Sequence, residues 1–272
     1  MTPKTLLLSD DTRATCAVAG TGEPLVLVHG VGMCAEAWTP QIDALSSSHE
    51  VISVDMPGHG GSDRLGEGAQ LPDYVAWLGR VLDALGRDAV NLAGHSMGGL
   101  VASGCAIEMP ERVRRLAVLN SVHRRSPEAR AAVRERARAI SRGEGDDSVP
   151  LRRWFGETPG ERAVRDRVSG WLERVDRAGY AAAYAAFAEG DETYADRWGE
   201  IACPTLVLTG AEDRNSTPEM ARAMAGAAQR GRAVIVPNER HMVGLTAPEA
   251  VTAEMRRWLE EPIAAERREM RA

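Results

Sequence analysis

The chain has 272 residues, 44% hydrophobic and 26% charged, which suits one compact catalytic-size domain with a full core and room for an inserted lid. A formal charge of −6, with no block of Lys or Arg long enough to form a basic stripe, argues against nucleic acid as a partner. The first ten residues carry only the short run Leu6–Leu8, and no stretch of about 18 apolar residues occurs, so neither a signal peptide nor a membrane span is expected and the reading is a cytoplasmic protein.

Short apolar runs recur along the chain: Leu25–Val28, Val51–Val54, Val90–Ala93, Leu116–Leu119, Thr205–Leu208 and Ala233–Val236. Each is too short for a helix and too apolar for a sheet with one wet face, which predicts strands buried on both faces of a parallel sheet. Helix-like stretches alternate with them over Pro72–Leu85, Gly98–Glu108, Pro218–Ala228 and Pro248–Leu259, three of them opening on a proline that a first turn tolerates. Alternation of this kind predicts an α/β fold. It stops between Val122 and Glu200, where the chain turns rich in Ala, Arg and Glu, and breakers such as Gly143, Pro150, Pro159 and Gly179 predict several short helices there. Within that stretch Ala181–Ala188 reads as a packed helix. Cys16, Cys34, Cys105 and Cys203 lie far apart without a C-x-x-C pair and read as buried thiols.

The chemistry concentrates at Gly94-His95-Ser96-Met97-Gly98, a G-x-S-x-G motif set directly after one expected strand and directly before a helix. Small residues at 94 and 98 permit a turn tight enough to expose the Ser96 hydroxyl, and the following helix aims its positive end at it. A tight turn with Ser96 as an ordinary N-cap is the bland alternative. Serine needs a base, and the base needs an acid to orient it. Asp213 would hang from the carboxyl end of the strand Thr205–Leu208, and His241 follows the strand Ala233–Val236. Glu212 is the neighbouring rival for the acid, and Asn120, at the other position where an acid can stand, carries no charge.

With these residues assembled the sequence resembles the α/β-hydrolase superfamily over most of its length. His29-Gly30 looks like the family's oxyanion loop, and Asp55-Met56-Pro57-Gly58-His59-Gly60-Gly61-Ser62 looks like its D-x-x-G-x-G-x-S turn. The resemblance implies a mostly parallel twisted sheet with helices on both faces, a core over residues 1–121 and 201–265, a helical cap over 122–200, and a charged tail over 266–272. It implies catalytic roles for Ser96, Asp213 and His241, with Asp213 favoured over Glu212 by the family's G-x-x-D spacing from Gly210. It also implies an oxyanion hole made by the amides of Val31 and Met97. By the same analogy His29 and His59 shape the rim, while His95 packs beside the nucleophile without serving as base. Arg240 stands where many members have Gly. No pair of histidines has metal-ligand spacing, so neither metal nor cofactor is expected.

A serine nucleophile sets aside the aspartate-dependent epoxide hydrolases and dehalogenases of this fold and leaves acyl transfer to water. Arg153-Trp154-Phe155, Ala178–Ala182 and Ile201–Thr205 are similar to motifs of the 3-oxoadipate enol-lactonases and neighbouring carboxylesterases. That similarity implies a small ester or lactone substrate, with Arg152, Arg153 and Trp154 as candidates for binding it. Between His123 and Phe155 nine Arg face five Asp and Glu, an excess that would attract an anionic substrate or simply form a solvated helical face. Carbon–carbon hydrolases, perhydrolases and non-catalytic ligand binders share the triad; the first group tends to follow its histidine with Trp, whereas Met242 follows here.

Overall fold

The structure, a computed structural model, describes residues 1–263. Eight strands form one sheet: β1 (Thr2–Leu7), β2 (Arg13–Ala19), β3 (Glu23–Val28), β4 (His49–Val54), β5 (Val90–His95), β6 (Val113–Leu119), β7 (Thr205–Gly210) and β8 (Gly231–Val236). Their order is β1-β2-β4-β3-β5-β6-β7-β8. The β1–β2 and β2–β4 pairs are antiparallel, and every pair from β4 through β8 is parallel. The six expected strands are therefore present, and two more precede them.

The apolar runs are explained by what covers each face. On β3, Leu25 and Leu27 pack into one core cluster with Trp38, Ile42, Met255 and Trp258, while Val26 and Val28 pack into the other with Trp77, Leu78 and Val101. Side chains alternate across a strand, so burial on both faces requires a continuous apolar run. Among the described residues there are ten α-helices: α1 (Thr39–Leu45), α2 (Leu71–Ala84), α3 (Met97–Glu108), α4 (Pro127–Ser141), α5 (Ser148–Trp154), α6 (Pro159–Arg174), α7 (Arg177–Glu189), α8 (Pro218–Ala227), α9 (Val243–Thr246) and α10 (Pro248–Leu259). From Met97 to Ile107 every residue of α3 is buried, which accounts for a helix apolar all round.

Between β6 and β7 stand α4 to α7 and a 3-10 turn over Ala195–Glu200, with no strand among them. The sequence punctuates these helices as physical chemistry requires. Ser126 caps α4, Thr158 and Glu161 form a reciprocal capping box on α6, and the Asp176 carboxylate accepts the Gly179 N–H at 2.6 Å to cap α7. At the start of α7 the backbone of Gly179 lies directly on that of Gly58: a Cβ built at Gly179 would fall 2.3 Å from the Gly58 carbonyl oxygen.

Cys16 and Cys105 are buried as expected, whereas Cys34 and Cys203 are only half-buried; all four are free thiols. No helix among the described residues is long and apolar enough to cross a membrane. The expected charged tail from residue 266 lies outside the described residues.

Candidate active site

The turn from β5 into α3 has no space for side chains at its glycines. A Cβ at Gly94 would lie 2.1 Å from the Gly98 carbonyl oxygen, and one at Gly98 would lie 2.2 Å from the Val28 carbonyl oxygen. This close approach forces Ser96 to φ 54° and ψ −117°, a backbone region that L-residues rarely occupy. The neighbouring strand helps hold it there: the Ser96 N–H donates to the Leu119 carbonyl at 2.9 Å, and the Ser121 hydroxyl donates to the Ser96 carbonyl at 2.8 Å.

Ser96, His241 and Asp213 come together from three loops at the carboxyl ends of β5, β8 and β7. Ser96 Oγ is 3.3 Å from His241 Nε2, and His241 Nδ1 is 2.9 Å from Asp213 Oδ2. Burial would raise the Asp213 carboxyl, but the His241 imidazole, the Asn120 amide and the Ser216 N–H outweigh it and hold the group below its ordinary value. Asp213 Oδ1 accepts the backbone N–H groups of Asn215 and Ser216 at 2.8 and 3.1 Å, and Oδ2 accepts Asn120 Nδ2 at 2.8 Å. Asn120 thus holds the Asp213 carboxylate, a role its lack of charge did not suggest. Glu212 instead faces Arg240 at 3.3 Å, and Arg240 also donates to the Phe155 carbonyl at 2.8 Å, tying this loop to the end of α5.

The three histidines near the serine are neutral struts. His29 Nδ1 donates to the Gly30 carbonyl at 2.7 Å while its Nε2 accepts the Met56 N–H at 3.0 Å. His59 Nδ1 donates to the Pro57 carbonyl at 3.0 Å while its Nε2 accepts the Gly32 N–H at 2.9 Å. Together they bind the loop of residues 30–33 to the turn after β4, and the Asp55 carboxylate adds a bond from the Ala35 N–H at 2.7 Å. His95 Nε2 donates to the His241 carbonyl at 2.9 Å and so helps fix the His241 backbone. Burial pushes His29 down to about 4; burial with a neighbouring imidazole pushes His59 and His95 down to about 3.

These struts predict acid sensitivity. Each imidazole is protonated near pH 6.5 in the unfolded chain but refuses the proton in the fold. Its stabilisation is therefore complete above that pH and is lost as the pH falls toward 4 and 3. Three such groups together lose about 5 kcal/mol between pH 6.5 and 5, a fall in Tm on the order of 10 °C. Asp55 and Glu239, raised by burial, act in the opposite sense and reduce the slope. Melting curves across that range check this; a constant Tm would mean that these imidazoles are charged in the fold.

Met97 opens α3, so its N–H is among those with no acceptor inside the helix. The Val31 N–H likewise has no acceptor among the described residues, and Val31 follows Gly30, whose Cβ position is 3.0 Å from Ser96 Cβ. Of the three expected binding residues, Trp154 stacks on the His241 ring at 5.5 Å with an interplanar angle of 25°. Arg153 donates to Asn215 Oδ1 at 3.2 Å, beside the acid loop. Arg152 does not join them: two-thirds of its side chain is exposed, and it donates to Ser148 Oγ at 2.6 Å.

A serine on a strained strand-to-helix turn, backed by an imidazole and a buried carboxylate above a parallel sheet, is the arrangement of a hydrolase. The chain belongs to the alpha/beta hydrolase family, whose sequence profile matches residues 25–254. It is 52% identical over 260 residues to an (E)-2-((N-methylformamido)methylene)succinate hydrolase of Acinetobacter baylyi, covering 96% of this chain and 99% of that one. Among solved structures it is similar to a malate-bound thermophilic esterase from Thermogutta terrifontis, at TM-score 0.85 and 28% identity over 95% of this chain and 98% of that one. It is also similar to the enol-lactonase from Burkholderia xenovorans LB400, at TM-score 0.84 and 26% identity over 95% of this chain and all of that one.

Proposed function

We propose that the protein is a serine hydrolase that attacks the acyl carbonyl of a small carboxylate-bearing compound, with (E)-2-((N-methylformamido)methylene)succinate as the leading candidate. The observation that carries this reading is the unbroken relay from Ser96 Oγ through His241 to Asp213, at 3.3 and 2.9 Å. His241 Nε2 takes the Ser96 proton as Oγ attacks the carbonyl carbon. The amides of Val31 and Met97 receive the developing oxyanion, and the His241 proton passes to the leaving group. Water, deprotonated by the same imidazole, then releases the acyl group and returns the proton to Ser96. Asp213 keeps Nδ1 protonated and the ring oriented throughout. Residues 122–200 act as a cap, with Trp154 closing the His241 side.

The candidate substrate carries two carboxylates and an N-formyl group, so its attack at the formyl carbon releases one equivalent of formate and leaves the methylamino fragment. An ester or lactone of a small dicarboxylate would react by the same steps, a reading supported by the similarity to the malate-bound esterase and the enol-lactonase. The test offers the purified protein this formamide, an acyl-chain series of esters, and a lactone panel, and measures formate, alcohol and hydroxy acid. Formate release at kcat/KM above about 10⁴ M⁻¹s⁻¹ supports the formamide as the physiological class. Turnover of esters or lactones alone would reassign the substrate, and turnover of none would remove the hydrolytic reading of this relay.

A further inference from the structure

The helical segment carries many arginines, and most of them are spent on surface ion pairs. Along α4 and its C-cap, Arg130, Arg134, Arg138 and Arg142 each pair with a carboxylate, at 2.5 to 3.2 Å. Arg136, half-buried in the same helix, forms no ion pair with a carboxylate among the described residues; its terminal nitrogens donate to the Asp146 carbonyl oxygen, each at 3.2 Å, and its guanidinium also bonds to the Tyr180 and Tyr184 hydroxyls. Its guanidinium carbon lies 5.6 Å from the centre of the Tyr184 ring on α7. Just before α4, Arg125 is buried over the Phe187 ring at 4.3 Å, with Nη1 bonded to Asp191 at 2.9 Å. Its Nη2 is buried and has no acceptor among the described residues. An unsatisfied buried guanidinium nitrogen is destabilising, so the fold tolerates it at a loss unless something else accepts from it.

The two cations flank an aromatic row that begins beside Gly32, with Arg136 against its first two rings and Arg125 over its last. A Cβ at Gly32, next to Val31, would lie 3.0 Å from the Tyr180 ring. From Tyr180 the row continues to Tyr184 at 5.9 Å and to Phe187 at 5.8 Å between ring centres. Burial pushes the Tyr180 phenol up to about 12 and raises Tyr184 as well, so both remain neutral O–H donors at working pH. Planar guanidinium groups and phenol hydroxyls are the donors that suit a carboxylate, and aromatic walls keep water from competing for them.

We propose that Arg125 and Arg136, with the hydroxyls of Tyr180 and Tyr184, form a carboxylate-binding subsite beneath the cap, which holds the charged end of the substrate while Ser96 attacks its acyl carbon. This rests on the hydrolytic reading above and specifies which part of the substrate the helical segment recognises. It also moves the anion site from Arg152 and Arg153 on α5 to α4 and the loop before it.

The test compares mono-4-nitrophenyl succinate, which carries a free carboxylate, with neutral 4-nitrophenyl butyrate. In Arg136→Met the ratio of kcat/KM for the anionic ester to that for the neutral one should fall about 10- to 100-fold, with KM for the anionic ester carrying the change. Arg136→Lys should recover part of the ratio, and Arg138→Met, an exposed neighbour paired with Glu135, should keep the wild-type ratio. Arg125 is ion-paired into the fold, so Arg125→Lys is the variant used there, and it too should lower the ratio. Calorimetry of succinate with the Ser96→Ala protein gives a second readout that needs no turnover: Arg136→Met in that background should weaken binding by a similar factor. An unchanged ratio in Arg136→Met, or an equal loss in Arg138→Met, overturns the subsite. Failure of every ester together with loss of labelling at Ser96 would defeat the hydrolytic reading, whereas active enzyme with an unaltered ratio defeats the subsite alone.

Discussion

Ser96→Ala should abolish covalent labelling by a serine-directed fluorophosphonate and lower kcat by on the order of 10⁵- to 10⁶-fold. The reason is geometric as well as chemical. No other hydroxyl among the described residues bonds to His241 Nε2, and the strained turn that presents Oγ cannot be copied by a neighbouring residue. A residual acceleration of about 10³–10⁴ over water is expected, because oxyanion donors and binding contacts survive the substitution. Labelling is therefore the sharper readout than rate, and labelling of the Ala protein at the wild-type rate would put the nucleophile elsewhere.

Asp213→Asn should cost about 10⁴-fold in kcat with little change in KM, since the carboxylate stabilises an imidazolium that exists only during reaction. Here the surroundings make the substitution worse than a lost charge. Every close partner of the Asp213 carboxylate is a donor: Asn120 Nδ2 and the His241 ring on one oxygen, the N–H groups of Asn215 and Ser216 on the other. An amide must turn its own NH₂ toward one of these pairs, so either the histidine adopts the wrong tautomer or two backbone donors lose their acceptor. Glu212→Gln breaks only a half-exposed pair with Arg240 and should change kcat by less than about threefold. A larger loss from the second substitution than from the first would reverse the assignment of the acid.

What the sequence reveals follows from what burial demands of it. The strands β3 to β8 are legible because all but β8 are buried deeply enough for apolar runs, and even β8 keeps Ala233–Val236. The strands β1 and β2 are not legible. β1 lies at the sheet edge with nearly every residue exposed, and β2 is covered only in part, so neither needs the apolar run used to recognise the others. The motif residues around Ser96 are legible because their backbone path excludes every residue but glycine at 94 and 98. The cations of the helical segment are not, since Arg136 looks in sequence like Arg134 and Arg138. Only the packing of α4 on α7 distinguishes a solvated arginine from one set against Tyr184.

The contact between Gly58 and Gly179 acts as a fixed ruler. The first turn of α7 starts from a point where two backbones touch with no side chain between them, and Tyr180 is the next residue. The height of the aromatic row above the loop of residues 30–33 is thereby set by peptide geometry, which substitution elsewhere cannot shorten. The gap between that loop and the row can be widened only at side chains such as Leu172 and Tyr180, because adding a methyl group at either glycine would lift the whole helix and carry every contact of the row away together.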